Sequence, residues 1–103
     1  MVVRVAEPGR PAFQLRKGEE GLSLFDPDLV EPPLSESEIL EAFRPGNVVV
    51  VRSAVEVQSK GLQIVPIPRA ESLPQRLREA HVEIRPAAGM TRGEFKQALK
   101  ELE

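Results

Sequence analysis

His81, the only histidine in the chain, lies in Ala80-His81-Val82-Glu83-Ile84, a stretch whose alternation is that of a β-strand. Residues two apart on a strand project to the same side about 7 Å apart, so His81 and Glu83 share a face. There an imidazole could act as a base and a carboxylate as a stabiliser of developing positive charge. The plainer reading is a sheet-face histidine with a satisfied hydrogen bond and an exposed glutamate beside it. Other reactive groups are few. The 103 residues include no Cys, Tyr or Trp, which excludes thiolate nucleophiles and tyrosine acids and leaves His, Glu, Asp, Arg, Lys, Ser and Thr.

Ser23 sits in Leu22-Ser23-Leu24, outside any nucleophile-elbow pattern, so it reads first as a serine on the solvent side of a strand. One His, no Cys and scattered carboxylates give no metal-ligand spacing, and none is assigned. Gly18 and Gly21 flank Glu19-Glu20, an acidic turn that repels phosphate, and no glycine-rich nucleotide fingerprint occurs. Arg76, Arg78 and Arg85 flank His81 and could form a small cationic surface for a phosphate or a partner's carboxylate, with Glu79 and Glu83 placed to neutralise them.

The elements that must position these groups follow from hydrophobic periodicity and breakers. Val2-Val3-Arg4-Val5 predicts a short strand, ended by Glu7-Pro8-Gly9-Arg10-Pro11. Phe13 and Leu15 alternate with Gln14 and Arg16, which predicts a second strand forming a hairpin with Leu22–Phe25 across the charged Lys17–Gly21 turn. Ser35-Glu36-Ser37-Glu38 has a capping-box pattern and opens a short helix carrying Ile39, Leu40 and Phe43, stopped at Pro45-Gly46. Four successive valines within Asn47–Arg52 predict a central strand buried on both faces. Val55 and Val57 extend the sheet in this reading, and Leu62, Ile64 and Ile67 form another strand that Pro66 and Pro68 push to an edge. A helical turn containing Leu77 precedes the His81 strand. Thr91-Arg92-Gly93-Glu94 then caps a C-terminal helix with Phe95, Ala98, Leu99 and Leu102 on one face.

Together these predict one small α+β domain spanning residues 1–103, a single mixed or antiparallel sheet with two or three helices packed against it, and all four phenylalanines in its core. The hydrophobic and charged fractions, 41% and 29%, are those of an ordinary folded protein. A net charge of −2 with intermixed signs argues against a broad nucleic-acid footprint, and stacking aromatics are absent outside the expected core. Ten of fourteen basic residues are Arg, fourteen of sixteen acids are Glu, and ten residues are Pro, usage that fits a thermophile or a GC-rich bacterium. The longest apolar run, Val48–Val51, is far short of a membrane span and the N-terminus lacks an apolar signal core, so the expected location is the cytoplasm with no membrane partner.

The order Phe13-Gln14-Leu15-Arg16, Gly21-Leu22-Ser23-Leu24-Phe25 and Ala80-His81-Val82-Glu83-Ile84 resembles small, mostly uncharacterised bacterial proteins, among them toxins with an ADP-ribosyltransferase-like fold. The resemblance implies that Arg16 and Ser23 hold NAD, that Glu83 stabilises an oxocarbenium-like ribose, and that His81 is a further polar group of the same site. Departures are a Leu-Ser-Leu middle motif in place of Ser-Thr-Ser, no Tyr to stack on nicotinamide, and a length short for the complete transferase fold. Two functions therefore stand side by side. One is a non-enzymatic interaction protein or homodimer without a cofactor, and the other is a toxin-like NAD-dependent ADP-ribosyltransferase. A nucleic-acid accessory role ranks below both.

Overall fold

Five segments rich in Val, Leu and Ile pair into one antiparallel sheet in a computed structural model that describes residues 1–68 and 72–103. The strands are β1 (Val2–Ala6), β2 (Leu22–Phe25), β3 (Val48–Arg52), β4 (Leu62–Pro66) and β5 (His81–Pro86), in the spatial order β3-β1-β2-β5-β4. Four helices cover it: α1 (Glu36–Leu40), α2 (Ala54–Ser59), α3 (Gln75–Ala80) and α4 (Arg92–Lys100). This is the predicted α+β class, with one helix more than the sequence pattern led us to expect.

Because successive side chains alternate across a strand, each strand feeds two cores. On one face Val2, Leu22, Leu24, Val82 and Ile84 pack beneath Val57 of α2 and Phe95, Ala98 and Leu99 of α4. On the other, Val3 and Phe25 pack beneath Ile39 of α1, Leu77 and Ala80 of α3, and Val30 and Leu34 of the connecting segment. Each fully buried Leu, Val or Phe contributes roughly 1.5–3 kcal/mol. Three of the four phenylalanines are buried as expected, while Phe43 is half-buried and rests edge-on against Phe25 at 6.0 Å.

Three local expectations give way. Residues 13–16 form no strand, hence no hairpin with β2. Their alternation is nevertheless real, with Phe13 and Leu15 buried and Gln14 and Arg16 exposed. Side chains replace the ladder here: the Glu103 carboxylate accepts from the amides of Ala12 and Phe13 at 2.9 and 2.7 Å, and Arg4 Nε donates to the Ala12 carbonyl at 2.9 Å. The four-valine strand β3 is an edge, not the centre, with Val48 and Val51 open to solvent. Val55 and Val57 lie in a helix, because Ser53 Oγ accepts from the Glu56 amide at 3.0 Å and starts α2. Strand β4 does lie at the opposite edge, ending in Pro66. The capping box of α4 is complete: Thr91 Oγ1 accepts from the Glu94 amide at 3.1 Å and Glu94 accepts from the Thr91 amide at 3.0 Å.

Candidate functional site

His81 begins β5 directly after the last residue of α3, and only 1% of it is exposed. Its Nδ1 lies 2.7 Å from the Ile67 carbonyl, and since a carbonyl only accepts, Nδ1 carries the proton. The Ile67 amide donates back to the His81 carbonyl at 3.1 Å, and the imidazole meets the Phe25 ring edge-on at 5.8 Å. The histidine is thus fixed at both main chain and ring, deep under the α3 layer.

Glu83 and Ser23 are cross-strand partners between β5 and β2, so the structure does place them side by side on the His81 face. Glu83 is 8% exposed, and its Oε1 accepts from Arg85 Nη2 at 2.8 Å and Arg85 Nε at 3.1 Å. Gly21 lies under this pair. A Cβ there would stand 2.7 Å from Glu83 Oε1, 3.1 Å from the Ile84 carbonyl and 3.3 Å from Arg85 Cγ, so the carboxylate occupies space that only glycine vacates.

Arg16 is elsewhere. It is exposed, its amide donates to the Glu19 carboxylate at 2.7 Å, and its carbonyl accepts from Arg92 at 2.8 Å. With Arg4, Ala6, Arg10 and Gln14 it borders a small cleft of about 80 Å³. Arg4 alternates with Val3 and Val5 and so projects to the α2/α4 face, opposite Ser23 and Glu83. Burial holds the Arg4 guanidinium below its usual pKa, and its Nη1 donates to the Ser23 carbonyl at 2.8 Å. Three of the four candidate residues therefore share a face, and Arg16 lies across the sheet from them.

Two of the three arginines flanking His81, Arg76 and Arg85, are engaged. Arg76 grips Glu38 with two nitrogens, at 2.7 and 3.3 Å, and donates to the carbonyls of Pro32 at 2.6 Å and Glu31 at 3.4 Å. That hydrogen bond holds the Glu38 carboxyl below the ordinary carboxylate range and raises Arg76. Arg85 serves Glu83. Among the described residues no group of three or more Asp, Glu or His side chains is arranged to hold a metal ion, and no helix is long and apolar enough to cross a membrane.

The feature that residue patterns misplaced is the valine strand β3, read as central and found at the outer edge of the sheet. Five large apolar side chains are exposed among the described residues: Val55 at 76%, Met1 at 62%, Leu29 at 46%, Val48 at 44% and Val51 at 42%. Val48 and Val51 belong to β3 itself, and Val55 lies in the first turn of α2 just beyond it. Met1 precedes Val2, the pairing partner of Arg52. Leu29 follows Pro27 and Asp28, which line a groove of about 310 Å³ whose apolar wall includes Met1, Val49 and Val51. Exposed apolar residues scattered singly would need no explanation, but here four of the five, Met1, Val48, Val51 and Val55, lie on or beside one strand edge.

That edge lacks the proline that commonly guards an open strand against pairing. Its one charge is engaged within the fold: Arg52 Nε donates to the Leu102 carbonyl at 2.7 Å, Nη1 donates to the Val51 carbonyl at 2.8 Å, and the guanidinium lies 5.3 Å over the Phe13 ring. No family model, curated protein or solved structure matches this chain.

Proposed function

We propose that this chain is a non-enzymatic interaction domain that docks through the outer edge of β3. The carrying observation is that four of the five large apolar side chains exposed among the described residues lie on or beside an edge strand that has no proline and a single charge already bonded within the fold. Strand addition to such an edge draws affinity from main-chain hydrogen bonds and specificity from the side chains alternating on either face. The test is a Val51→Lys variant, whose new ammonium is solvated in the free protein and obstructs any added strand. It should keep the wild-type circular dichroism spectrum and melting curve while losing whatever association native mass spectrometry or capture detects in the wild type. A folded wild type that shows no association, or one whose association survives Val51→Lys, refutes the proposal.

A second reading, NAD-dependent ADP-ribosyl transfer, draws support from the juxtaposition of Ser23 and Glu83 across β2 and β5. It would have to work without Arg16, and with a carboxylate already held by Arg85. Calorimetric titration of NAD decides it: saturable binding weakened by Glu83→Gln upholds transfer, and no heat at millimolar NAD dismisses it.

A further inference from the structure

Resting on the docking reading above, we infer that the occupant of the β3 edge is a second copy of this chain, added antiparallel about a two-fold axis normal to the sheet. The first ground is self-complementarity. A two-fold pairing centred on Val50 sets Val50 against Val50 and Val49 against Val51 of the other copy, so every central cross-strand pair is valine with valine. A β-branched pair of this kind is the favoured neighbour on a pleated sheet.

The second ground is charge. The groove beside β3 is apolar at its wall but carries Asp28 and Glu36 at its rim. Among the described residues neither forms an ion pair, and neither does Arg44, which stands exposed between α1 and β3. Helix α1 packs on the same face of the sheet that forms the groove. Antiparallel addition turns the second copy's β3 end for end, so its Arg44 comes to the end of the groove where Met1, Asp28 and Glu36 lie. The two-fold makes this contact twice, and the two grooves merge into one apolar seam between the paired strands.

Arg52 leaves room for this arrangement. Its guanidinium is engaged within its own chain, by the Leu102 and Val51 carbonyls, by Glu56 at 4.0 Å and by the face of Phe13, so its charge is balanced before a second strand arrives.

The experiment is sedimentation velocity over a concentration series, at low and high salt, on the wild type, Val51→Lys, Arg44→Glu, and Arg44→Glu combined with Asp28→Lys and Glu36→Lys. Expected is a wild-type dimer weakened by salt, because the rim charges are exposed and screened. Val51→Lys should raise the dissociation constant about tenfold or more, equivalent to one interfacial anchor. Arg44→Glu should raise it about fivefold, as two exposed pairs are lost, and the charge-swapped triple variant should recover most of that loss. A dimer indifferent to Val51→Lys, or a triple variant as weak as Arg44→Glu alone, overturns the inference. A strict monomer overturns it as well, and the docking reading then survives only if wild type but not Val51→Lys retains a different protein. If neither does, both fall together.

Discussion

Replacing Gly21 by alanine tests whether the Glu83–Arg85 pair is wedged against β2 as tightly as its geometry indicates. The new methyl would sit 2.7 Å from Glu83 Oε1 and 3.1 Å from the Ile84 carbonyl. The first contact can relax by moving a carboxylate, but only by disturbing its 2.8 Å bond to Arg85. The second cannot relax without moving β5, because the Ile84 carbonyl is main chain in the middle of the sheet. Overpacking of this kind costs about 1–3 kcal/mol. Against it, alanine restricts the unfolded chain and returns about 0.4–1 kcal/mol. The net expectation is a loss of about 1–2 kcal/mol, a fall in Tm of roughly 5–15 °C for a domain of this size. Thermal and urea melts followed by circular dichroism measure it. Combining Gly21→Ala with Glu83→Ala removes the closest contact, so the double variant should lose less than the sum of the singles. A Gly21→Ala protein as stable as wild type, or strictly additive losses, would refute the wedge and with it the account of why a glycine directly precedes β2.

Other expectations distinguish the remaining contacts. Arg76 and the Thr91 amide hold the carboxyls of Glu38 and Glu94 below their unfolded values, so each contributes stability that is present above the ordinary carboxylate pKa of about 4.3 and is lost as the pH falls through the depressed value. Acid melts of Glu38→Gln and Glu94→Gln should therefore show a shallower decline from neutral to low pH than wild type, and an unchanged decline would contradict the assignment. Thr91→Ala, which removes the hydroxyl half of the α4 capping box, should cost about 1 kcal/mol in a urea melt. Phe13→Ala should cost about 3–5 kcal/mol, the loss typical of a buried aromatic, and Phe43→Ala clearly less, since its ring is half-exposed. Equal losses would contradict their different burial.

Local chemistry was legible where a single residue type decides the outcome. Thr91 and Glu94 announced α4, Ser35 announced α1, and Pro66 with Pro68 placed β4 at an edge. The same capping pattern in Ser53-Ala54-Val55-Glu56 could have identified α2, but flanking valines were read for their strand propensity instead. The position of β3 was not legible for a different reason. A run of valines reports that a strand is apolar on both sides, and such a strand can lie at the centre of a sheet or at its edge. Only the sheet order separates these. The His81 face was partly legible: alternation correctly set His81 beside Glu83, while the pairing of Ser23 with Glu83 depends on long-range register. Arg16 was read on a strand because its neighbours alternate, yet Phe13 and Leu15 obey that alternation in a segment held by Glu103 and Arg4 side chains.

The proline at the end of β4 also bears on how large any assembly can grow. A sheet with two open edges can add copies head to tail without limit, as fibres do. Pro66 removes a main-chain donor from β4 and Pro68 follows directly after it. Growth from that end of the strand is impeded. Were the proposed pairing through β3 to form, the prolines of β4 would favour a contact that closes on itself over open-ended polymerisation.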